Sequence, residues 1–156
     1  YKKSSVIDDM PKGKSIKDIT KVFTSVGFAS PPSWLKPYSV LSNGERMRCD
    51  LANAILQEKE IIAFDEFTSV VNREVAKTGS YAISKAVRKL DKKFIAVSCH
   101  YDIKDWLEPD WIYDTDKQRF FFALAKSKDL ELNSKSMNPQ KIKETKFGNH
   151  LKNIII

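Results

Sequence analysis

Two adjacent carboxylates follow a short apolar run in the middle of the chain. Asp65 and Glu66 come directly after Ile61–Phe64, a run that predicts a β-strand covered on both faces. Ligand sites of open α/β sheets lie at the carboxyl ends of such strands. In phosphoryl transfer the first carboxylate could hold Mg²⁺ through its water shell, while the second polarises the attacking water. A solvated turn is the alternative, and this segment alone does not decide between them.

A second polar segment, Leu41–Glu45, stands at the start of a predicted helix. Ser42 with Glu45 three residues later is typical of a capping box, which satisfies amide donors at a helix N-terminus. A Ser hydroxyl, the Asn43–Gly44 backbone and the positive end of the helix would also form a phosphate cradle. Taken alone, the pattern favours the cap.

A histidine follows the next predicted strand. His100 comes shortly after Phe94–Val97, where a single histidine is more often packed or solvated than catalytic. The order and spacing of the polar segments are more informative than any one of them. Gly44 precedes Asp65 by 21 positions and Glu66 precedes His100 by 34, with one strand-length run before each polar end.

The elements that must position these residues alternate between helix and strand. Ser15 with Asp18 predicts a capped helix start, Gly27 suits the end of that helix, and the proline-rich stretch 30–37 predicts a loop. Further helices are predicted after Gly44 and over Val75–Leu90, and strands over Ile61–Phe64, Phe94–Val97, Trp111–Tyr113 and Phe120–Leu124. This alternation predicts an α/β fold with parallel strands and flanking helices.

Composition limits the class of protein. The 156 residues, 42% hydrophobic and 11% aromatic, predict one domain with a real core. Cys49 and Cys99 form no CxxC pair, so no zinc site or disulfide framework is predicted and a reducing cytoplasm fits best. No apolar stretch is long enough to span a bilayer. The net charge is +7, of which residues 124–156 contribute +4, with seven Lys against three acids.

Taken in order, these segments resemble the second half of an ABC-type ATPase, a P-loop NTPase. The matching motifs are the signature Leu41–Glu45, the Walker B segment Ile61–Glu66, the D-loop Ser69–Asn72 and the switch histidine His100, and the resemblance covers about residues 15–124. A narrower resemblance is to soluble bacterial and phage ABC-type ATPases fused to an acetyltransferase-like domain. It depends on Tyr38–Val40, Glu66–Ser69, Trp106 and Asp110–Trp111.

The resemblance implies a domain plan and a set of site residues. Residues 1–40 would belong to a helical subdomain, 41–124 to the C-terminal half of the nucleotide-binding domain, and 125–156 to a basic linker or tail. The implied cofactors are ATP and Mg²⁺, with Asp65 serving the metal and Glu66 and His100 acting in catalysis. The implied nucleotide-binding residues are Ser42, Asn43, Gly44 and Glu45.

The resemblance also implies partners. The signature would serve the ATP held by a second lobe in a head-to-tail homodimer, so Ser42 and Glu66 of one chain are expected not to converge on a shared pocket. An acetyltransferase-like domain is a second expected partner. Nucleic acid, bound through the basic tail, is only weakly supported.

Three residues depart from the usual motifs. Asn43 replaces the first glycine of the signature, Glu45 replaces the common Gln, and Asn72 stands where the D-loop usually has Asp. Asn enters left-handed backbone conformations more readily than other non-glycine residues, so Asn43 is compatible with the motif. Asn72 could alter communication between the two halves of a dimer.

The largest departure is the Walker A loop, G-x-x-x-x-G-K-[ST], which the sequence does not contain. Gly13-Lys14-Ser15 is a decoy that a helix cap at Ser15 explains. Because the chain opens at Tyr1 without an initiator Met, we expect it to be cut from something longer. Because the Walker A loop is missing, we expect this chain to be inactive as an ATPase alone. The alternative function is a non-catalytic regulatory or nucleic-acid-associated scaffold module.

Overall fold

The computed structural model describes residues 4–122 and the backbone of residues 153–155. The helices are α1 (Ile16–Ser25), α2 (Pro31–Trp34), α3 (Asn43–Leu56), α4 (Arg73–Lys89) and α5 (Ile103–Leu107), with a 3₁₀ turn at Tyr38–Val40. The strands are β1 (Ile61–Phe64), β2 (Lys93–Ala96), β3 (Trp111–Asp114), β4 (Arg119–Phe122) and β5 (Asn153–Ile155). The chain is therefore a mixed α/β structure, as its sequence predicts.

One sheet joins the five strands in the order β1-β2-β5-β3-β4. Neighbours are parallel from β1 through β3, and Phe64 at the end of β1 lies opposite Ala96 at the end of β2. β4 instead runs antiparallel to β3. The four residues between β3 and β4 are too few for a parallel crossover, and Gln118 turns the chain with φ +51°.

The central strand β5 was not predicted. Asn153–Ile155 pairs in parallel with β2 on one side and with β3 on the other. These residues fall within the range expected to be a basic tail, so that expectation does not describe them. The rest of the linker or tail expected over residues 125–156 lies outside the described residues.

Three of the longer helices begin with a side-chain cap. Ser15 Oγ accepts a hydrogen bond from Asp18 N–H (3.1 Å), which confirms the cap at this serine. Asn72 Oδ1 accepts from Val75 N–H (2.9 Å), so α4 begins two residues before its predicted start. The third is the capping box of α3, predicted from Ser42 and Glu45. Gly27, with φ +80°, follows α1 as expected.

The proline-rich stretch contains more structure than predicted. Pro31–Trp34 forms one helical turn, because proline is compatible with the first helical positions. Trp34 Nε1–H donates to Phe28 O (2.8 Å), and its ring packs 5.6 Å from that of Phe23. Trp34 is therefore a packing residue.

The core runs without interruption from the N-terminal helices to the sheet. Phe23, Phe28, Phe67 and Phe94 are among its largest fully buried side chains. The prediction that β1 is covered on both faces is wrong: Ile62 is buried, but Ile61 is 52% exposed and Ala63 is exposed. The alternating exposure follows from the pleat of a strand whose second face has no covering among the described residues.

Among the helices that the structure describes, none is long and apolar enough to cross a membrane.

Candidate functional site

The pairing of β1 with β2 brings two of the polar segments to one edge of the sheet. Asp65 and Glu66 leave the carboxyl end of β1, and the segment leading to His100 leaves the carboxyl end of β2. Backbone hydrogen bonds join the two exits: Val97 N–H donates to Phe64 O (3.0 Å) and Phe67 N–H donates to Val97 O (2.8 Å). Asp65 and Glu66 are exposed and His100 is half-buried. The cavity that His100 lines includes neither Asp65 nor Glu66.

The turn after β1 has an unusual backbone. Glu66 has φ +51° and Thr68 has φ +70°, and this left-handed region is costly for a β-branched residue. Asp65 Oδ1 accepts from Glu66 N–H (2.8 Å), and Ser69 N–H donates to Glu66 O (3.0 Å). Phe67, which lies between Glu66 and Thr68 in the sequence, is fully buried and anchors the turn in the core. Asp65 and Glu66 are exposed to solvent.

The signature segment forms the predicted capping box. Glu45 Oε2 accepts from Ser42 N–H (2.9 Å) and Ser42 Oγ–H (2.8 Å), and Ser33 Oγ–H donates to Glu45 Oε1 (2.6 Å). These hydrogen bonds, that of Ser33 first, hold the pKa of the Glu45 carboxyl below its usual range. The Glu45 carboxylate thus fixes the start of α3, while Ser42 and Asn43 remain exposed.

Gly44 is required by a close approach of two helices. A Cβ atom there would lie 2.9 Å from Val75 Cγ1 and 3.3 Å from Arg48 Nη1. The preceding Asn43 donates through Nδ2–H to Val70 O (3.3 Å), within the Ser69–Asn72 segment. The start of α3 is therefore packed on the start of α4 and tied to the loop before it.

A cavity of about 330 Å³ lies between the start of α3 and the turn after β1. Its polar lining includes Asn43, Asp50, Asp65, Glu66 and Thr68. Thr68 is almost fully buried, and its Oγ1 has no hydrogen-bond partner among the described residues. Ser42 is not among the lining residues. One chain thus brings Asn43 of the signature, but not Ser42, to the same cavity as Glu66.

A second cavity, of about 300 Å³, lies at the carboxyl ends of β2 and β3. His100, Cys99 and Asp114 line it, and Cys99 Sγ is 3.8 Å from His100 Nδ1. Tyr101 Oη–H donates to Asp116 (2.9 Å) at its rim, which raises the pKa of the tyrosine. The cavity gives His100 a polar neighbourhood at the edge where α/β sheets bind ligands.

The described residues contain no group of three or more His, Cys, Asp or Glu side chains arranged to hold a metal ion. Mg²⁺ is usually bound by one or two carboxylates together with water and substrate phosphates. Asp65 and Glu66 offer two carboxylates at an exposed turn.

Sequence reasoning missed a polar cluster on α3. Tyr38 Oη–H donates to Asp50 Oδ2 (2.7 Å), and Arg46 donates to Tyr38 O (3.3 Å) while stacking 5.6 Å from the Tyr38 ring. Burial, and then the contact with Asp50, raises the pKa of Tyr38 above its usual range. The spacing of Arg46 and Asp50, four residues apart on one helix, was the available signal.

A second missed pair joins the start of α4 to the segment after His100. Arg73 Nε–H donates to Asp102 Oδ2 (2.9 Å), and Arg73 Nη2 contacts Asp102 Oδ1. The guanidinium of Arg73 also lies 5.1 Å from the Trp106 ring, so Trp106 is a packing residue. No local pattern in the sequence connects Arg73 with Asp102, which are 29 positions apart.

Comparison of the chain with protein-family models and with curated proteins finds no match.

Proposed function

We propose that this chain is the signature, Walker B and switch-histidine part of an ABC-type ATPase, a P-loop NTPase that binds and hydrolyses ATP as a head-to-tail dimer. One observation carries the proposal. The carboxylates of Asp65 and Glu66 follow β1, and His100 follows the adjacent parallel strand β2, so all three occupy one edge of the sheet. The cytoplasmic location, predicted from the cysteines, and the fused acetyltransferase-like domain, predicted from the resemblance, remain predictions.

The chemistry assigned to each residue follows from its side chain and place. Asp65, with one carboxylate oxygen held by the Glu66 amide, would serve Mg²⁺, which offsets the charge of the nucleotide phosphates. Glu66, exposed beside it, would position and polarise the attacking water. His100 would donate a hydrogen bond to the transferred phosphoryl group, where negative charge develops.

The signature residues have the character of an anion-binding helix start. Ser42 and Asn43 are exposed at the N-terminus of α3, a helix of 14 residues whose dipole favours negative charge at this end. Glu45 is engaged by Ser33 and Ser42, so its role would be to hold the loop rather than to contact phosphate. The Asn43–Val70 hydrogen bond would make the signature and the Ser69–Asn72 loop respond together to a partner lobe.

The proposal requires a phosphate loop that the 156 residues do not contain. The backbone amides and the Lys of such a loop hold the β- and γ-phosphates. We therefore expect the purified 156-residue chain to show no Mg²⁺-dependent ATP hydrolysis. Catalysis is assigned only to a protein that also supplies that loop.

The test uses the protein encoded by the complete reading frame that contains these residues. Its Mg²⁺-dependent ATP hydrolysis is measured for the wild type, for Glu66→Gln and for Glu74→Gln, an exposed carboxylate in the first turn of α4. Loss of a catalytic carboxylate should lower kcat by about 10²-fold or more, while Glu74→Gln should leave it unchanged.

Two results would contradict the proposal. The first is a complete reading frame without a phosphate loop whose product binds no ATP, which would favour a regulatory or scaffold module. The second is hydrolysis that Glu66→Gln and Glu74→Gln lower equally, because the carboxylate after β1 would then have no special role.

A further inference from the structure

We propose that Arg73 and Asp102 are a pair of positioning residues that hold the His100 segment in register with the Ser69–Asn72 loop. The coupling of the two segments can be tested without nucleotide. Its consequence, that His100 and Glu66 keep a fixed relation during catalysis, rests on the proposed function.

The contact is a two-point one. Arg73 approaches both carboxylate oxygens of Asp102, through Nε (2.9 Å) and Nη2. Such fork-to-fork pairs fix orientation as well as distance, because a planar guanidinium meets a planar carboxylate. Trp106 lies against the same guanidinium (5.1 Å), and the Arg73 Nη1 atom is buried. The side chain of Arg73 is therefore confined on more than one side.

The Asp102 side chain pairs with Arg73 although its position also suits a helix cap. Asp102 is the residue before α5, where an aspartate usually caps the helix by accepting from a backbone amide. Here its side chain makes no capping hydrogen bond. The contact with Arg73 lowers the pKa of the Asp102 carboxyl, so the ion pair is present at neutral pH.

The two residues lie beside the segments that carry the proposed chemistry. Arg73 directly follows Asn72, the last residue of the loop whose Val70 carbonyl accepts from the signature Asn43. Asp102 comes two residues after His100. The loops are already joined at their base by the Phe67–Val97 hydrogen bond. The Arg73–Asp102 pair adds a link at their far ends, and two links restrain rotation where one does not.

The chain offers a matched control on the same helix. Arg88, near the end of α4, pairs with Asp110 at 3.7 Å. The side chains of Arg88 and Asp110 are 37% and 30% exposed, which is similar to the 39% and 44% exposure of the Arg73 and Asp102 side chains. Asp110 directly precedes β3 and belongs to neither loop. Arg88 also donates to Leu107 O (3.4 Å) and contacts Glu108 O, so the control substitutes only Asp110.

The experiment measures one segment by NMR while the residue of the pair that lies in the other segment is substituted. It uses the 156-residue chain. Asp102→Asn should speed hydrogen exchange of the Ser69 and Val71 amides by roughly threefold or more, as expected for loss of a restraining ion pair. Both amides donate within the turn after β1, to Glu66 O and Thr68 O. Asp110→Asn should leave them unchanged.

The reciprocal reading uses the imidazole signals of His100. The sequence has two histidines, so the His150→Gln variant assigns the signals. Arg73→Met should shift the His100 ring resonances, and Arg73→Lys, which keeps the charge without the fork, should shift them part of the way. Neither variant substitutes a residue of the segment around His100. If one variant fails to fold, the other alone tests the proposal.

The proposal is overturned if Asp102→Asn affects Ser69 and Val71 no more than Asp110→Asn does, or if His100 does not respond to the Arg73 variants. Neither reading involves ATP, so a failure of the ATPase proposal would leave this one standing. Conversely, uncoupled loops in a protein whose hydrolysis depends on Glu66 would refute only the coupling.

Discussion

Substitution of Glu45 tests how much its hydrogen bonds at the start of α3 stabilise the folded chain. The Glu45 carboxylate accepts three hydrogen bonds, from Ser33 Oγ–H, Ser42 N–H and Ser42 Oγ–H, at the positive end of α3. Glu45→Ala removes all three together with the charge. Glu45→Gln keeps one carbonyl oxygen that can accept from Ser42, but it replaces the oxygen that accepts from Ser33 by an amide group that cannot accept, and it removes the charge.

The expected loss of stability depends on whether the groups that donate hydrogen bonds to Glu45 are exposed or buried. Hydrogen bonds to a charged group contribute about 1.5–3 kcal/mol when buried, but Ser42 is exposed and water can replace the lost acceptor there. Ser33 is buried and can turn its hydroxyl to Ser30 Oγ (3.2 Å). We therefore expect a loss of about 2 kcal/mol for Glu45→Ala, in the lower part of this range, and a smaller loss of about 1 kcal/mol for Glu45→Gln, which keeps one acceptor.

The pH dependence has a definite sign. The pKa of Glu45 in the folded chain lies below its ordinary value of 4.5, so its contribution to stability is fully present above that pH. It is lost as the pH falls through the folded-state pKa. The difference in stability between the wild type and Glu45→Gln should therefore be largest at neutral pH and shrink steadily below about pH 4.5.

The assay is urea unfolding of the 156-residue chain at a series of pH values, with Glu74→Gln as the control for removing one exposed carboxylate. Thermal midpoints should fall in parallel, by about 3 °C per kcal/mol for a chain of this size. The reasoning would be refuted by a wild-type to Glu45→Gln difference that stays constant from pH 7 to pH 3, or by Glu45→Ala costing no more than Glu74→Gln.

Three core and contact predictions can be checked by the same unfolding assay. Gly44→Ala should destabilise the chain by about 1–3 kcal/mol because its new methyl group meets the stiff Val75 side chain at 2.9 Å, and Val75→Ala should recover part of the loss. Gly79→Ala should cost much less, since the clash is with the flexible end of Met47 (2.8 Å) and alanine favours the helix by about 1 kcal/mol. Phe67→Ala should cost about 4 kcal/mol because the ring is fully buried, and an effect under about 1 kcal/mol would contradict the anchoring role of Phe67.

Local patterns in the sequence predicted the parts of the structure that local physics determines. Ser15 and Ser42 each have an acidic residue three positions later, and both cap their helices as expected. The apolar runs before Asp65 and His100 form adjacent parallel strands, so the common edge of the two polar segments was also predictable. Hydrogen bonds and burial over a few residues suffice for these features.

The missed features depend on contacts between distant parts of the chain. Nothing in the short run Asn153–Ile155 indicates that it enters the sheet between two other strands. The Arg73–Asp102 pair joins residues 29 positions apart, and the exposure of Ile61 depends on which face of the sheet the helices cover. These outcomes follow from the tertiary arrangement, which propensity and periodicity do not encode.

In the proposed dimer the Leu41–Glu45 segment of one chain serves the Glu66 carboxylate of another, although Asn43 and Glu66 of the same chain line one cavity. Mixing two variants of the complete-frame protein, each expected to be inactive, tests this arrangement. Ser42→Asp keeps a good helix cap but places a negative charge where phosphate is proposed to bind, and Glu66→Gln removes the proposed catalytic carboxylate.

We expect the mixture to regain Mg²⁺-dependent ATP hydrolysis, because a mixed dimer contains one site with an intact Ser42 and an intact Glu66. We also expect an excess of the Ser42→Asp/Glu66→Gln double variant to suppress the wild type, because mixed dimers then contain no intact site. A mixture that stays inactive, together with a wild type that the double variant does not suppress, would show that Ser42 and Glu66 act within one chain and would contradict the proposed dimer.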